Sequence, residues 1–464
     1  MNDMSAPVLT TASSKLVEFL LSRTLDNLPA DVVRIARLRL LDTLGCGLYG
    51  ARTPWGKILS EVVYEEQSHG GATVYCGKEP VGPARAALVN GTATHGFELD
   101  DAGPGQAHPG AVVLPSVLAT SEHNNLSGAR LLLGMIAGYE ATARVGLAIG
   151  ETGWGFHKTG IAGVVGSAVA SGVALELTQE KLLRAIGIAC SSAAGIKSFI
   201  QGSGGMVKRM HAGRACESGV LACMLARKGF TAPLAALDGK FGLLETYGTD
   251  KPDPAVLEKG LGESYIVKDG VKVKAYSFCY DLHTTAQAFE QLRAEHGIDH
   301  KQIKHVRVGT NERGVALHAD VAPTETMSAQ YSTPFVSAVA LVKDAQDPRN
   351  FNLDQLGDPD VCALSRKVEL YADPAMQVYY PVRNTAHVTV HMNDGRIFDK
   401  TVLDAKGTPA NPCTDDEIRA KFRKLASVSH TDSAVAEIID IVSRIETLPS
   451  LAPLSNLLRG GMRG

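Results

Sequence analysis

Residues 158–176 read KTGIAGVVGSAVASGVALE, and this run decides the fold. No charged residue lies between Lys158 and Glu176, yet the run is shorter than the ~20 residues that span a bilayer. Its richness in glycine, serine and alanine predicts a buried helix instead. Gly160, Gly163 and Gly166 recur at every third position, which lets another backbone approach closely. These glycines do not match the dinucleotide-binding fingerprint, so no nucleotide site is inferred from them.

Helical periodicity continues on both sides of this run. Pro29 opens a segment in which apolar residues recur near the 3.6-residue period, and Thr178 is suited to cap the helix that begins near Gln179. Proline and glycine clusters separate most segments, which indicates a bundle of many medium-length helices. The predicted helices cover Asp31–Leu44, Pro83–Phe97, Ala111–His123, Gly128–Ile149, Leu177–Ile188 and Ala212–Lys228.

The pattern changes near residue 265, where alternating and β-branched segments begin. Asn393-Asp394-Gly395 is a strong hairpin turn between two of these segments. Helices are predicted among the strands at His283–His296 and Ser332–Lys343, so this part of the chain is α+β. The predicted strands are Tyr265–Val267, Val271–Lys274, His305–Gly309, Ala386–Met392 and Arg396–Val402.

Helical character returns toward the C-terminus. Thr414-Asp415-Asp416-Glu417 is a capping box that opens a helix through Leu425, and a final helix is predicted over Ser433–Leu448. The sequence therefore predicts a mainly α fold with a smaller α+β domain. We expect residues 1–264 to form a helical domain, 265–404 an inserted α+β lid, and 405–464 helices that return to the first domain. A cleft is expected where the two domains meet.

The composition is that of an ordinary globular protein. Hydrophobic residues make up 45% and charged residues 20% of the 464 residues, with a formal net charge of −3. No basic stripe or long charge run indicates binding to nucleic acid or to a membrane surface. The eight cysteines are scattered without a C-x-x-C pair, and no signal peptide is recognised, so we expect free thiols in the reducing cytoplasm. Residues Met1–Ser14 are expected to form a short loose arm.

The stretch THGFELDDAGPGQAHPG, residues 94–110, says most about function. Glu98, Asp100 and Asp101 precede a Gly/Pro break, after which His108 lies against a proline. Carboxylates beside an imidazole on such a loop can hold a proton donor and a proton acceptor at fixed spacing. The alternative interpretation is a helix end followed by a solvated acidic loop.

Two further segments place an imidazole or cations beside glycines. Residues 153–160 set His157 at the entry of the buried helix, where the neutral imidazole is favoured and can accept a proton. Residues 201–211 join a glycine-rich loop to Lys208 and Arg209, an arrangement that suits an anionic substrate. The alternative interpretations are a histidine that caps a helix and a solvated basic turn.

Residues 271–283 end a predicted strand and begin a predicted helix. Lys274 and His283 fall near this junction, a place suited to ligand contacts. Cys279 has no base beside it in the sequence, so it is interpreted as a packing residue rather than a nucleophile.

Taken together and in this order, these segments resemble the MmgE/PrpD family, which includes 2-methylcitrate dehydratase, cis-aconitate decarboxylase and iminodisuccinate epimerase. The resemblance covers essentially the whole chain. No single motif is specific to the family, but the set of motifs in this order is. The motifs are Leu41-Asp42-Thr43-Leu44-Gly45, Asn90-Gly91, Asp100-Asp101, His108-Pro109-Gly110, Phe156-His157, Gly205-Met206-Val207-Lys208-Arg209, Lys274-Ala275-Tyr276, His283 and Gly407-Thr408-Pro409-Ala410-Asn411-Pro412.

The resemblance implies a helical domain built from both chain ends, an inserted α+β lid, a homodimer, and no metal or organic cofactor. It places an active site between the domains. The residues that would form this site are Glu98, His108, His157, Lys208, Lys274 and His283. Two positions depart from the decarboxylase-like members, since Ala102 stands where a threonine is expected and Phe335 where a tyrosine is expected. Tyr331 lies four residues before Phe335, and the loss of a hydroxyl proton donor disfavours decarboxylation.

The expected chemistry is removal of a proton next to a carboxylate in a small di- or tricarboxylate, whose charge fixed cations would stabilise. Lys208 and Lys274 would clamp substrate carboxylates, while His108 and His157 would exchange protons. Substrate contacts are expected from Asp100, Gly205, Arg209, His283 and Tyr331, and tuning of the imidazoles from Glu98, Asp100 and Asp101.

From the same carbanion, three outcomes remain open. Loss of β-hydroxide gives a 2-methylcitrate dehydratase-like lyase, which is the first expectation. Reprotonation from the opposite face gives an epimerase of an aspartate or succinate derivative, and loss of CO2 gives a decarboxylase. A non-catalytic dimer that binds anionic metabolites is the alternative from a different class.

Overall fold

The computed structural model describes residues 10–150, 155–200, 205–249 and 251–460. Residues 1–9 of the predicted loose arm lie outside these ranges. Residues 12–14 begin the helix Ala12–Leu21, so the prediction is wrong for them. Thr11 caps this helix, because its side chain accepts a hydrogen bond from the Ser14 amide in a capping box.

Most of the described chain is helical, as predicted. Each helix expected in the first 264 residues is present, with its ends shifted by a few residues. The longer helices are Ala12–Leu21, Ala30–Gly50, Pro54–Glu65, Pro83–Thr94, Pro109–His123, Gly128–Ala148, Lys158–Ala174, Gln179–Cys190, Val207–Arg227, His283–His296, Thr333–Val342, Asp415–Ala426, Asp432–Ser443 and Ala452–Gly460.

The helix Lys158–Ala174 lies at the centre of the helical part, and every one of its residues is buried. A Cβ atom added at Gly160 would overlap the Ala194 carbonyl, and one added at Gly166 would overlap the Thr142 hydroxyl. The repeated glycines therefore permit the close packing that the sequence predicts. Its main neighbours are the helices Pro109–His123, Gly128–Ala148, Gln179–Cys190 and Val207–Arg227.

A four-stranded mixed sheet lies in the segment predicted to be α+β. Its strands are β1 (Ile303–Thr310), β2 (Val368–Ala372), β3 (Ala386–Met392) and β4 (Ile397–Val402), in the order β2-β1-β3-β4. The β1 strand pairs with β2 in parallel and with β3 antiparallel, and β3 pairs with β4 across the predicted turn. Alternate residues of β3 are buried, as expected for a sheet with one covered face. The helices His283–His296 and Thr333–Val342 pack against this sheet.

Two predicted strands do not form. Ile266–Asp269 is a helical turn rather than a continuation of the strand expected at Tyr265–Val267. Val271–Lys274 is irregular and contributes one antiparallel bridge, between Lys272 and Ala102. A short apolar run is compatible with either helix or strand, and these runs lack a neighbouring strand with which to pair. The β2 strand, conversely, is not predicted by the sequence.

The apolar side chains form two clusters. The first joins the N-terminal helices to side chains of the C-terminal helices, among them Phe422, Ile438 and Leu454. The second joins the sheet and its covering helices to Tyr49 and Phe97 of the helical part. These contacts support a return of the C-terminal helices to the first part of the chain. The domain limits at residues 264 and 404 remain a proposal.

One helix among the described residues, Gly128–Ala148, is long and apolar enough to cross a membrane by length and composition. However, 94% of its most apolar window is buried inside the protein, as in the core helix of a globular protein. All eight cysteines are free thiols, as their scattered positions predict.

Candidate active site

The acidic stretch of residues 94–110 folds into a buried turn between two helices. Glu98, Asp100 and Asp101 are all buried, so the alternative of a solvated acidic loop is wrong. Glu98 adopts a left-handed φ of 55°, which costs a non-glycine residue free energy and persists only where its surroundings hold it. Because a buried carboxylate needs compensating partners, the contacts of these acids define the site.

The Asp100 carboxylate binds two imidazoles. His95 Nδ1–H donates to Asp100 Oδ2 at 2.7 Å, and His108 Nδ1 lies 3.2 Å from the same oxygen. His108 Nδ1–H also donates to the backbone carbonyl of Asp101 at 2.7 Å. Burial opposes the negative charge, but the two imidazoles outweigh it and hold the pKa of Asp100 well below its usual range. Both rings use Nδ1 for these contacts, and His95 Nε2 is buried with no hydrogen-bond partner among the described residues.

The Glu98 carboxylate binds two ammonium groups. Lys208 Nζ contacts Glu98 Oε1, and Lys274 Nζ donates to Oε2 at 2.8 Å. Lys208 Nζ also lies 3.1 Å from the Tyr331 hydroxyl. Burial alone would raise the pKa of Glu98, but the two lysines reverse this effect and hold it well below its usual range. Glu98 accepts no hydrogen bond from an imidazole among the described residues, because the lysines take both carboxylate oxygens.

A row of imidazoles lies beside this cluster. The ring centroids of His95 and His108 are 4.8 Å apart, and those of His95 and His157 are 5.7 Å apart. His157 Nδ1 lies 3.1 Å from His211 Nδ1, so one of these nitrogens donates to the other. Burial lowers the pKa of His95 to about 4, and burial with the nearby His95 and Lys208 lowers that of His157 well below its usual range. Both rings are therefore neutral near pH 7 and can accept a proton.

The imidazole row and the ammonium pair converge. Lys208 Nζ lies 6.0 Å from the centroid of Phe199, whose ring is 5.4 Å from that of His157. Two imidazoles and two ammonium groups that are remote in sequence thus lie in one part of the structure. Lys274 and Tyr331 come from the α+β segment, whereas the other groups come from the helical part.

The Asp101 carboxylate makes contacts other than those expected. Its Oδ2 accepts a hydrogen bond from the Tyr139 hydroxyl at 2.7 Å, and its Oδ1 accepts one from the Gly110 amide at 2.8 Å. Only the backbone carbonyl of Asp101 holds an imidazole. Burial raises the pKa of Asp101 to about 6. The side chain therefore fixes the turn against the neighbouring helices rather than contacting an imidazole directly.

His283 is fully buried next to the lysine pair. Its Nε2–H donates to the Phe278 carbonyl at 3.3 Å, and Nδ1 has no hydrogen-bond partner among the described residues. Burial, with Lys274 nearby, lowers the pKa of His283 to about 3. His283 is therefore a neutral ring with one acceptor nitrogen available.

Arg209 is held by protein groups other than those of the lysine pair. Its guanidinium stacks 4.1 Å from the Trp55 ring and donates to the carbonyls of Gly96 and Gly205. These contacts do not support the expected role as a substrate clamp, because protein groups already bind the guanidinium. Residues 153–154 and 201–204 of the predicted motifs lie outside the described residues.

A cavity of about 680 Å³ adjoins the cluster on the side of Arg209. Phe97 and Gly205 also line it, with Trp55 and Arg349 on other walls. The candidate imidazole and ammonium groups do not line this cavity. The acids and lysines of the cluster are buried, whereas His108 is partly exposed.

Sequence reasoning missed several members of the site. His95 lies in the same acidic stretch as the predicted acids, and His211 ends the predicted basic segment. Their positions in these two segments could have identified them. Phe335, at the position expected for the tyrosine, packs in the apolar core with its ring 6.0 Å from that of Phe351. Tyr331, four residues earlier, has its hydroxyl 3.1 Å from Lys208 Nζ.

The side chains of His95, Asp100 and His108 are of types that bind metal ions, and their ligand atoms lie within 4.8 Å of one another. However, the His95–Asp100 separation of 2.7 Å is that of a hydrogen bond. Two ligands of one tetrahedral ion at 2.0–2.2 Å would lie about 3.4 Å apart. The geometry is that of a hydrogen-bonded acid and base.

Comparison with known proteins identifies the family. The profile of the MmgE/PrpD N-terminal domain matches residues 14–255, and that of the MmgE/PrpD C-terminal domain matches residues 276–447. The chain belongs to the MmgE/PrpD family. The resemblance inferred from the motifs is confirmed, and with it the expectation of a family enzyme of the lyase class.

The similar curated proteins are full-length matches. A cis-aconitate decarboxylase of Aspergillus terreus is 30% identical over 461 residues, covering 93% of this chain and 93% of the relative. A cis-aconitate decarboxylase-like protein of Aspergillus oryzae is 28% identical, covering 94% of each chain. The cis-aconitate decarboxylase of Homo sapiens is 26% identical, covering 92% of this chain and 90% of the relative.

Proposed function

We propose that the chain decarboxylates a small unsaturated tricarboxylate of the cis-aconitate type without a cofactor. The observation that carries this proposal is the Tyr331 hydroxyl, which lies 3.1 Å from Lys208 Nζ. It supplies the proton donor that Phe335 lacks. The similarity to cis-aconitate decarboxylases along nearly the whole chain adds support.

The lysine pair is suited to bind the substrate. Lys208 and Lys274 carry two positive charges against the single negative charge of Glu98. Two buried ammonium groups that share the Glu98 carboxylate favour an incoming carboxylate, and because they are held in advance they need little reorganisation when charge develops. Substrate carboxylates would therefore bind at Nζ of these lysines.

The reaction requires one proton and no oxidant. When the bond between carbon and the departing carboxylate breaks, its electron pair shifts through the adjacent double bond to the carbon that takes up the proton. Burial, with the negative charge of Glu98, raises the pKa of Tyr331 well above its usual range. Tyr331 therefore keeps its proton at neutral pH and can donate it to this carbon, and solvent resupplies the proton after CO2 has left. His108 Nε2 is the second candidate donor.

A dehydratase of the 2-methylcitrate type is the second candidate. Ala102 favours it, because this position lacks the hydroxyl that the resemblance to the decarboxylases leads us to expect. An epimerase follows, since a neutral imidazole could remove the proton from one face and a protonated group could return one to the opposite face.

Product analysis in D2O separates these outcomes. With cis-aconitate, a decarboxylase releases CO2 and incorporates one deuterium per product molecule. With 2-methylcitrate, a dehydratase forms an ultraviolet-absorbing alkene without CO2. An epimerase exchanges deuterium into its recovered substrate with no loss of carbon, and a non-catalytic binder leaves every candidate unchanged. Dehydration of 2-methylcitrate without any CO2 from cis-aconitate would contradict the proposal.

Three broader expectations accompany this function. We propose a homodimer in the cytoplasm, with a helical domain of residues 1–264 and 405–464 and a lid of 265–404. The family resemblance and the two apolar clusters support this arrangement. Light scattering on the purified protein tests the dimer, and a mass of 49.1 kDa for the particle would contradict it.

A further inference from the structure

Cys279, Asp281 and His318 form a second cluster of ligand-type side chains. Cys279 and Asp281 belong to the turn around the short helix Tyr280–Leu282, and His318 follows the helix Glu312–Leu317. One thiol sulfur, one carboxylate oxygen and one imidazole nitrogen all lie within 4.8 Å of one another. The sequence gives Cys279 no neighbouring base, and Cys279 does pack against the second apolar cluster as expected, but the fold also brings its sulfur close to His318 and Asp281.

His318 is oriented as a ligand. Its Nδ1–H donates to the Tyr331 carbonyl at 2.8 Å, and the residue is only 3% exposed. Its Nε2 is buried and has no hydrogen-bond partner among the described residues. Metal-binding histidines commonly donate one ring N–H to a backbone carbonyl, which fixes the tautomer and presents the other nitrogen to the ion.

Asp281 is oriented toward the same point. Its Oδ1 accepts a hydrogen bond from Asn384 Nδ2 at 2.7 Å, while its Oδ2 lies 3.6 Å from His318 Nε2. That separation exceeds a normal hydrogen bond. It is close to the roughly 3.4–3.6 Å between ligand atoms of a tetrahedral zinc ion with bonds of 2.0–2.3 Å. The active-site histidines, by contrast, sit at hydrogen-bond distance from Asp100.

We propose that Cys279, Asp281 and His318 bind one zinc-like divalent cation, with the fourth position open to water. A thiolate and a carboxylate together balance the charge of a divalent ion, and the three donors are those that zinc prefers. The partial exposure of the Asp281 side chain, at 36%, leaves an entry path from solvent.

A proton bound to His318 would compete with a cation for this cluster. Burial opposes a charged imidazole, but the Asp281 carboxylate and the Cys279 sulfur beside it outweigh this effect and raise the pKa of His318 to about 10. A cation at this cluster would displace the proton of His318. An ion pair that binds no metal is the outcome against which the proposal is tested.

The proposed cation site is also connected to the candidate active site through Tyr331. The Tyr331 carbonyl binds His318, and the Tyr331 hydroxyl reaches Lys208. A cation at His318 would therefore restrain the segment that carries the proposed proton donor. This consequence rests on the proposed function, whereas cation binding does not.

Titration of the untagged, metal-stripped full-length protein with Co²⁺ tests the site. We expect one Co²⁺ per chain, with a thiolate-to-cobalt charge-transfer band and the visible absorption of a tetrahedral ion. Cys279→Ala should abolish the band. Cys362→Ala, which removes a half-buried thiol on the helix Pro359–Ser365, should leave both stoichiometry and spectrum unchanged.

Two further variants test cation binding if Cys279→Ala folds poorly. Asn384→Ala should weaken Co²⁺ binding by about 10- to 100-fold and retain the band, because it removes only the group that orients Asp281. Asp281→Asn should weaken binding at least as much. An absence of Co²⁺ binding, or affinities unchanged in both variants, would overturn the proposal. Cobalt binding by a chain that decarboxylates nothing would contradict the proposed function and leave this inference standing.

Discussion

Replacing Glu98 by glutamine perturbs the charge balance at the centre of the site. Glu98, Lys208 and Lys274 have side-chain exposures of 8%, 5% and 2%. Removing one partner of a buried ion pair costs about 3–5 kcal/mol, because a charge is left uncompensated. Deprotonation of one lysine relieves part of this cost, at about 1.4 kcal/mol per pKa unit. We expect E98Q to lower the free energy of unfolding by about 2–5 kcal/mol at pH 7, and by less at pH 9.

Urea unfolding followed by circular dichroism measures this loss. Glu61→Gln is the matched control, since Glu61 is exposed and its replacement should change the free energy of unfolding by less than about 0.5 kcal/mol. Tricarballylate, a saturated tricarboxylate, should stabilise E98Q more than the wild type, because it supplies the missing negative charge. If E98Q and E61Q unfold at the same urea concentration, the reasoning about the buried ammonium pair is refuted.

Three further perturbations have defined outcomes. Tyr331→Phe should lower kcat by about 10²- to 10⁴-fold with little change in KM, because it removes a proton donor. Tyr64→Phe, which removes an exposed hydroxyl, should change neither constant in the same steady-state assay, and equal rates for the two variants would count against the donor role. Burial raises the pKa of Asp101 in the folded protein to about 6. Above that pH the buried carboxylate is ionised and destabilises the fold. This destabilisation disappears as the pH falls toward about 3.9, the pKa of aspartate in the unfolded chain. Asp101→Asn should therefore stabilise the protein by on the order of 1–3 kcal/mol at pH 8 and by almost nothing at pH 4; unfolding curves at the two pH values check the sign. Gly166→Ala should cost about 1–3 kcal/mol because its Cβ would overlap a neighbouring hydroxyl. Gly357→Ala, where no atom lies within 4 Å of the new Cβ, should cost far less, and thermal unfolding of both variants tests the packing argument.

The helices were predictable because their apolar periodicity extends over many residues. The run that forms Lys158–Ala174 is long and uncharged, so burial and helix follow from the same residues. Short runs carry less information, and the residues of Tyr265–Val267 became part of a helical turn because no strand lies beside them. The β2 strand is defined by its parallel pairing with β1, which a local pattern does not reveal.

The site residues that cluster in the sequence could be predicted. The direction of a side chain that lies at a break between two helices could not. Tyr331 and Phe335 would share a face if they lay on one continuous helix. Tyr331 instead follows the helix Thr326–Gln330, and Ser332 caps the next helix, Thr333–Val342. The break turns Tyr331 toward Lys208 and leaves Phe335 in the core.

The location of a bound tricarboxylate tests the account most directly. A crystal structure of the protein with tricarballylate should show substrate-like carboxylate oxygens about 2.7–3.2 Å from Nζ of both Lys208 and Lys274. The Tyr331 hydroxyl and His108 Nε2 should face its carbon chain. Tricarballylate bound only in the neighbouring cavity beside Arg209 and Arg349, with the lysines still held by Glu98 alone, would contradict the account.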